Sequence, residues 1–378
     1  MSRAEAERAV ELLFADRRAR LAAERKEEME AKAITLGDKT LRWLAKTFGE
    51  SPASGRSLWI SMHGGGNAPP RVNDRQWQNQ AGLYEPAEGI YVAPRAPTDT
   101  WNLWHEAHID PLFQRLIDNH VALEGVDPDR VYLLGYSAGG DGVWQLAPRM
   151  ADRFAAAAMM AGHPNEASLL GLRNLPFALF MGGNDAAYNR NQVATERAAE
   201  LDRLAAADPG GYVHLARIYE GLGHWMNKQD AEALPWMAQF RRQPWPDKVV
   251  WQQDDVVHRR FYWLQLPEDL VIPDRQQFTA ALGDGGDHAD RRCAGRAGTA
   301  AVRPAGGSGP TADRAGRRSR GVPRKGRATG GRDPGFDRGA SRRRLRRHGA
   351  ARARHGAGGS PMTPAGSGII DQSGPSGG

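Results

Sequence analysis

Arg130-Val131-Tyr132-Leu133-Leu134-Gly135-Tyr136-Ser137-Ala138-Gly139-Gly140-Asp141-Gly142-Val143-Trp144 is the stretch on which the fold of this chain turns. Its first five residues are mostly apolar and include the strand formers Val131 and Tyr132. From Gly140 onward the composition can continue as a helix. Between them lies Gly135-x-Ser137-x-Gly139. Strand, Gly-x-Ser-x-Gly, helix is the arrangement in which a tight turn lifts a serine hydroxyl clear of the backbone. In a chain of 378 residues with 45 glycines the pentapeptide alone is a weak signal, so its neighbours and partners carry the reading.

A first partner lies upstream. Leu58-Trp59-Ile60-Ser61-Met62 reads as a buried strand and runs into His63-Gly64-Gly65-Gly66-Asn67. Glycines directly after a strand leave backbone N–H groups unshielded, either as a flexible turn or as donors to a developing oxyanion. In the second case Gly64 and Gly65 line the oxyanion hole, with the N–H of Ala138 completing it.

An acid and a histidine are expected downstream of the serine, in that order. Leu175–Met181 reads as a buried strand, followed by Gly182-Gly183-Asn184-Asp185, and Tyr212–Tyr219 as the next strand, followed by Glu220-Gly221-Leu222-Gly223-His224-Trp225. Both loops then open on the same edge of a parallel sheet as Ser137, where open α/β sheets place their sites. The expected catalytic set is Ser137 as nucleophile, His224 as base and Asp185 as orienting acid. Glu220 stays open as an alternative acid. His163 precedes the acid and has the wrong order, His214 falls inside a strand, and His120 sits in an apolar helical stripe and reads as structural. Trp104, Tyr188 and Trp225, on loops at the same edge, are the candidate substrate-binding aromatics.

In these motifs residues 33–245 resemble an α/β-hydrolase-fold serine esterase. The branch they resemble holds poly(3-hydroxybutyrate) depolymerase-like and feruloyl-esterase-like enzymes, with prolyl-oligopeptidase-type peptidases as relatives. The resemblance implies a mostly parallel central sheet flanked by helices and an acyl-enzyme mechanism that needs no cofactor. The substrate it implies is a small-molecule ester or a short peptide. Secreted depolymerases of that branch carry export signals and disulfides. This chain has one cysteine, Cys293, and no apolar signal core at its N-terminus, so a cytoplasmic location is expected. No run approaches membrane-spanning length, and neither a metal-ligand pattern nor a phosphate-cradling loop is present in the sequence.

Four segments follow from composition. Residues 1–32 are charged and alanine-rich and read as a surface helix, and 33–245 form the catalytic domain, opened by a hairpin over 33–43. Residues 246–280 read as a short β-rich extension, and 281–378 form an Arg/Gly-rich tail. That tail holds 20 of the 51 Lys and Arg against 7 of the 44 Asp and Glu, leaving 31 basic and 37 acidic residues in the body. The net charge of +7 therefore belongs to the tail, and the body is mildly acidic. Three readings meet there: nonspecific nucleic-acid binding confined to the tail, a bland disordered extension, or a G+C-rich gene read in a shifted frame. A tail without stacking aromatics, beginning abruptly inside a β module, favours the last. A catalytically silent scaffold whose tail binds a partner is the reading from a different class. The sequence leaves the oligomeric state open.

Overall fold

The computed structural model describes residues 3–282 and the pair Arg303–Pro304. The expectation of a disordered or frame-shifted tail lies outside the described residues.

An eight-stranded sheet organises the body: β1 (Ala33–Leu36), β2 (Lys39–Phe48), β3 (Arg56–Met62), β4 (Gly89–Arg95), β5 (Val126–Tyr136), β6 (Ala156–Met160), β7 (Phe177–Gly182) and β8 (His214–Tyr219). Their order is β1-β2-β4-β3-β5-β6-β7-β8. β1 and β2 form an antiparallel hairpin and β2 meets β4 antiparallel; from β4 to β8 every pairing is parallel. The composition of each strand follows its place. β6 and β7 are unbroken apolar runs because both faces are covered, and β3 is buried from Ser57 to Met62, whereas β2 alternates, with Leu41 and Trp43 inward.

Helices cover the two faces. On one, α3 (Ile109–Leu123), α4 (Ala138–Arg149) and α5 (Arg190–Ala207) bury Leu112, Leu116, Val143, Trp144, Ala194 and Leu201 against Leu58, Ile60, Leu133 and Phe177. On the other, α2 (Pro70–Gln80) and the short α6 (Ala233–Met237) pack with Trp59, Tyr91, Tyr132 and Phe180. Each such fully buried apolar side chain contributes about 1.5–3 kcal/mol. His120 lies in the first core, its Nδ1 2.8 Å from the Leu116 carbonyl, and burial pushes its imidazole down to about 4, so it is neutral. The N-terminal helix α1 (Arg3–Ala31) lies along α3 through polar contacts, including Arg17 to Asp118 at 2.9 Å and Arg115 to Glu28 at 3.0 Å.

After α6 the chain adds β9 (Lys248–Gln252), the hairpin β10 (Arg260–Phe261) with β11 (Leu264–Gln265), and β12 (Gln277–Ala281), which pairs antiparallel with β9. Val249, Trp251, Phe261 and Leu264 are continuous with the α3–α4 core, so this extension shares the hydrophobic interior of the sheet.

The parallel strands converge where β5 passes into α4. A Cβ at Gly139 would stand 2.1 Å from the Met62 carbonyl oxygen at the end of β3, a backbone contact with nothing flexible to yield. Gly139→Ala is therefore expected to lose about 1–3 kcal/mol of stability. Gly223→Ala, whose Cβ would meet nothing within 4 Å, should change it by less than about 0.5 kcal/mol. Urea midpoints at constant slope distinguish the two.

Candidate active site

Ser137 stands between the last residue of β5 and the first of α4 with φ 57° and ψ −122°. That backbone conformation is sparsely populated for any residue with a Cβ and costs on the order of 1–3 kcal/mol. Two hydrogen bonds hold it: the Ser137 N–H donates to Met160 O at 2.9 Å, and the Asp141 N–H donates to Ser137 O at 2.9 Å. The first pins the turn to β6, and the second closes the first turn of α4. The side chain is left partly accessible at the carboxyl edge of the sheet.

Asp185 and His224 lie on the loops after β7 and β8. Hydrogen bonds within and between these loops fix them. Gly183 N donates to Tyr219 O at 2.8 Å, Asn184 N to Leu222 O at 2.8 Å, and Asn191 Nδ2 to Gly183 O at 2.7 Å. The approach is so close that a Cβ on Gly182 would lie 2.0 Å from Gly223 O. Tyr136, the residue before the serine, secures the histidine loop. Its hydroxyl donates to His224 O at 2.6 Å and accepts from the Met226 N–H at 3.1 Å. Burial raises its phenol well above the ordinary tyrosine range, so it remains a donor.

The three side chains meet in one line. His224 Nδ1 is 2.6 Å from Asp185 Oδ2, and His224 Nε2 is 2.9 Å from Ser137 Oγ. Asp185 is buried while His224 is partly exposed. Opposite a carboxylate, Nδ1 carries the proton and donates; Nε2 is then free to accept from the serine hydroxyl. Glu220, the alternative acid, is exposed, and among the described residues no hydrogen bond joins it to His224.

The glycine loop is braced from behind. His63 is fully buried; its Nε2 accepts from the Ala96 N–H at 3.1 Å, so Nδ1 bears the proton and donates to Gly64 O at 2.6 Å. Burial pushes this imidazole down to about 4 and keeps it neutral. Trp104 Nε1 donates to His63 O at 2.9 Å. With both carbonyls engaged, the trans peptides turn the N–H groups of Gly64 and Gly65 the other way. Gly64 faces the serine: a Cβ there would sit 3.0 Å from Ser137 Cβ. Gly66 is removed from the set of free donors, because its N–H donates to Asn73 Oδ1 at 2.8 Å. Asn73 in turn donates to Asp99 at 2.7 Å, and Arg95 bridges Asp74 at 2.8 Å and Asp99 at 2.5 Å. The N–H of Ala138 is the first of α4, where no intrahelical acceptor exists.

The aromatic expectations separate. Trp104, expected on the substrate side, is instead fully buried, tilted against Phe113 and edge-on to His63. Its indole must reach the His63 carbonyl, and that draws the ring into the core. Trp101, three residues earlier, is the exposed tryptophan of that loop, and its backbone carbonyl lies against Gly66. Trp225 is partly buried, 5.7 Å from the Tyr136 ring, and Tyr188 is 78% exposed.

The strand order, the strained serine between β5 and α4, and the loops after β7 and β8 together decide the architecture. The chain has the α/β-hydrolase fold. No family model matches the sequence, and no curated protein matches it. Among solved structures, it is similar to a thermostable esterase: 18% identity over 56% of this chain and 62% of that one, with a TM-score of 0.40. The chain thus spans less than two thirds of that structure. A poly(3-hydroxybutyrate) depolymerase from Bordetella parapertussis matches at 19% identity over 53% of this chain and 89% of its own, TM-score 0.39. A dipeptidyl aminopeptidase IV from Bacteroides ovatus matches at 13% identity over 55% and 35%, TM-score 0.40.

Asp141, on the first turn of α4, adds a titrating group. Burial raises its carboxyl to about 6, opposed by the His163 N–H that donates to it at 2.6 Å. The folded protein therefore holds this proton more tightly than the unfolded chain. The cost of the charged form is absent below about pH 4 and fully present above the raised value. Asp141→Asn, whose amide oxygen can still accept from His163, is expected to gain about 1–3 kcal/mol relative to wild type as pH rises from 4 to 7. Paired denaturation curves at the two pH values measure the difference.

Proposed function

We propose that this chain is a serine hydrolase that cleaves carboxylic esters through an acyl-enzyme on Ser137. The observation that carries this reading is the unbroken hydrogen-bond line from Ser137 Oγ through His224 to the buried Asp185 carboxylate, starting at a serine held with φ 57°. No structural use accounts for a strained, partly accessible serine joined to such a line, whereas nucleophilic catalysis requires it.

The chemistry follows from the atoms in place. His224 Nε2 takes the proton from Ser137 Oγ as the oxygen attacks the ester carbonyl. Negative charge develops on the former carbonyl oxygen, within reach of the N–H of Ala138 and those of Gly64 and Gly65. Collapse of this intermediate expels the alcohol, which takes the proton from His224. Water, deprotonated by the same nitrogen, then attacks the acyl-enzyme; the second intermediate collapses, His224 returns the proton to Ser137 Oγ, and the acid is released. Asp185 stays ionised throughout; it keeps the Nδ1–H tautomer and stabilises the imidazolium. No step calls for a cofactor. Trp225 and Tyr188, with the exposed Trp101, are the aromatics we assign to contact with the acyl or alcohol group.

A fluorophosphonate probe tests the reading without knowledge of the natural ester. Wild type is expected to label and to hydrolyse short-chain p-nitrophenyl esters, and Ser137→Ala to do neither. Asp185→Asn should lose about 10³–10⁴ in rate, by analogy of role with the triad acid, while Glu220→Gln stays within about twofold. A chain ending after Leu282, past the last strand of the extension, should retain labelling. A well-folded wild type that takes no label would sink the proposal and return attention to a scaffold role.

A further inference from the structure

The turn that carries the acid contains a second unusual feature. Tyr188 and Asn189 both adopt positive φ, 55° and 56°, in succession and without a glycine. Each such residue costs on the order of 1 kcal/mol. Their effect is to bring Arg190, the first residue of α5, back over its own approach. Its guanidinium lies 4.9 Å from the Tyr188 ring centroid, and Nη1 lies 3.6 Å from Asp185 Oδ1. The Arg190 side chain is 13% exposed, and its Nε has no hydrogen-bond partner among the described residues. At 3.6 Å the contact is an ion pair and not a hydrogen bond. The cation is therefore held by charge and by the ring face beneath it, on the carboxylate oxygen that His224 does not use.

We propose that Arg190 is a positioning residue of the Ser137–His224–Asp185 line, a fixed positive charge beside the Asp185 carboxylate that opposes premature protonation of His224. This rests on the hydrolase reading above. Other charged or titratable groups also face the site: Asp141 from α4, Tyr136 from β5, Asp230 from the turn after the histidine loop, and His163 with Arg197 beside it from the β6 loop and α5. Removing the cation leaves the Asp185 carboxylate beside His224 without this counter-charge. The sign is fixed: the imidazolium becomes easier to form, and the unprotonated base that attack requires is lost at a higher pH.

The test is the pH dependence of fluorophosphonate labelling of the full chain, for wild type, Arg190→Gln, Arg190→Lys and Tyr188→Ala. Arg190→Gln is expected to move the acidic limb upward by about half to one pH unit. Its labelling rate at pH 6 then falls about three- to tenfold, while the rate at pH 8.5 changes by less than about twofold. Arg190→Lys should restore most of the wild-type limb, because the charge returns without the planar fork. Tyr188→Ala, a change at an exposed ring with little bearing on folding, should shift the limb the same way by a smaller amount. A wild type that labels on Ser137 while both Arg190→Gln and Tyr188→Ala keep its profile would overturn the positioning role and leave the hydrolase reading intact. The positioning role is likewise overturned if Arg190→Gln lowers the rate equally at every pH and Arg190→Lys does not rescue it, which is the signature of a purely structural residue. A wild type that does not label overturns both proposals together.

Discussion

Backbone-to-backbone contact at the end of β5 is the constraint from which the rest of the site follows. Gly139 presses on the carbonyls of Met62 and His63, and Gly140 presses on Met160 O and Gly162. No side chain intervenes, so the nucleophile turn sits at a distance set by peptide van der Waals surfaces. The same contact holds Ser137 at φ 57°, since the Ser137 N–H reaches Met160 O only from that position. Strain at the serine is stable because the two flanking strands leave the chain no other path.

Two further layers of polar contacts transmit this geometry. Tyr136 couples the elbow to the histidine loop through the His224 carbonyl and the Met226 N–H. One strand end thus orients both Ser137 and His224. The glycine loop is held with its donors outward by the His63 ring, by Asn73 and, from forty-one residues away, by Trp104. Each engages a carbonyl, or a surplus N–H, that would otherwise let the loop turn over. Preorganisation here comes from occupying the wrong-facing groups, so that the right-facing ones remain.

The parallel core and the strand–turn–helix around Ser137 were legible because their determinants are local: apolar runs, a glycine at each tight approach, and strand-then-loop order for Asp185 and His224. What was not legible depends on contacts between distant segments. Two tryptophans three residues apart in one loop look alike in sequence. Only the position of the His63 carbonyl, forty-one residues earlier, decides that Trp104 turns inward and Trp101 outward. Asn73 lies in an undistinguished polar helix and acquires its task through Gly66 and Asp99. Arg190 gave no signal, since a left-handed Tyr188 two residues before it is not read from sequence. Asp141, too near Ser137 in sequence to serve as the triad acid, still faces the site because one helical turn brings it there.

On the proposed hydrolase reading, an oxygen developing negative charge on a group attached to Ser137 is received by the N–H groups of Ala138 and of Gly64 and Gly65. A crystal structure of the protein after reaction with diethyl p-nitrophenyl phosphate examines this directly, since the phosphoryl oxygen occupies the place of the oxyanion. The expected result is phosphorus bonded to Ser137 Oγ, with its phosphoryl oxygen within hydrogen-bonding distance of the Ala138 N–H and of at least one of the two glycine N–H groups. Phosphorylation at another residue, or an adduct on Ser137 whose phosphoryl oxygen points to solvent away from both, would contradict it.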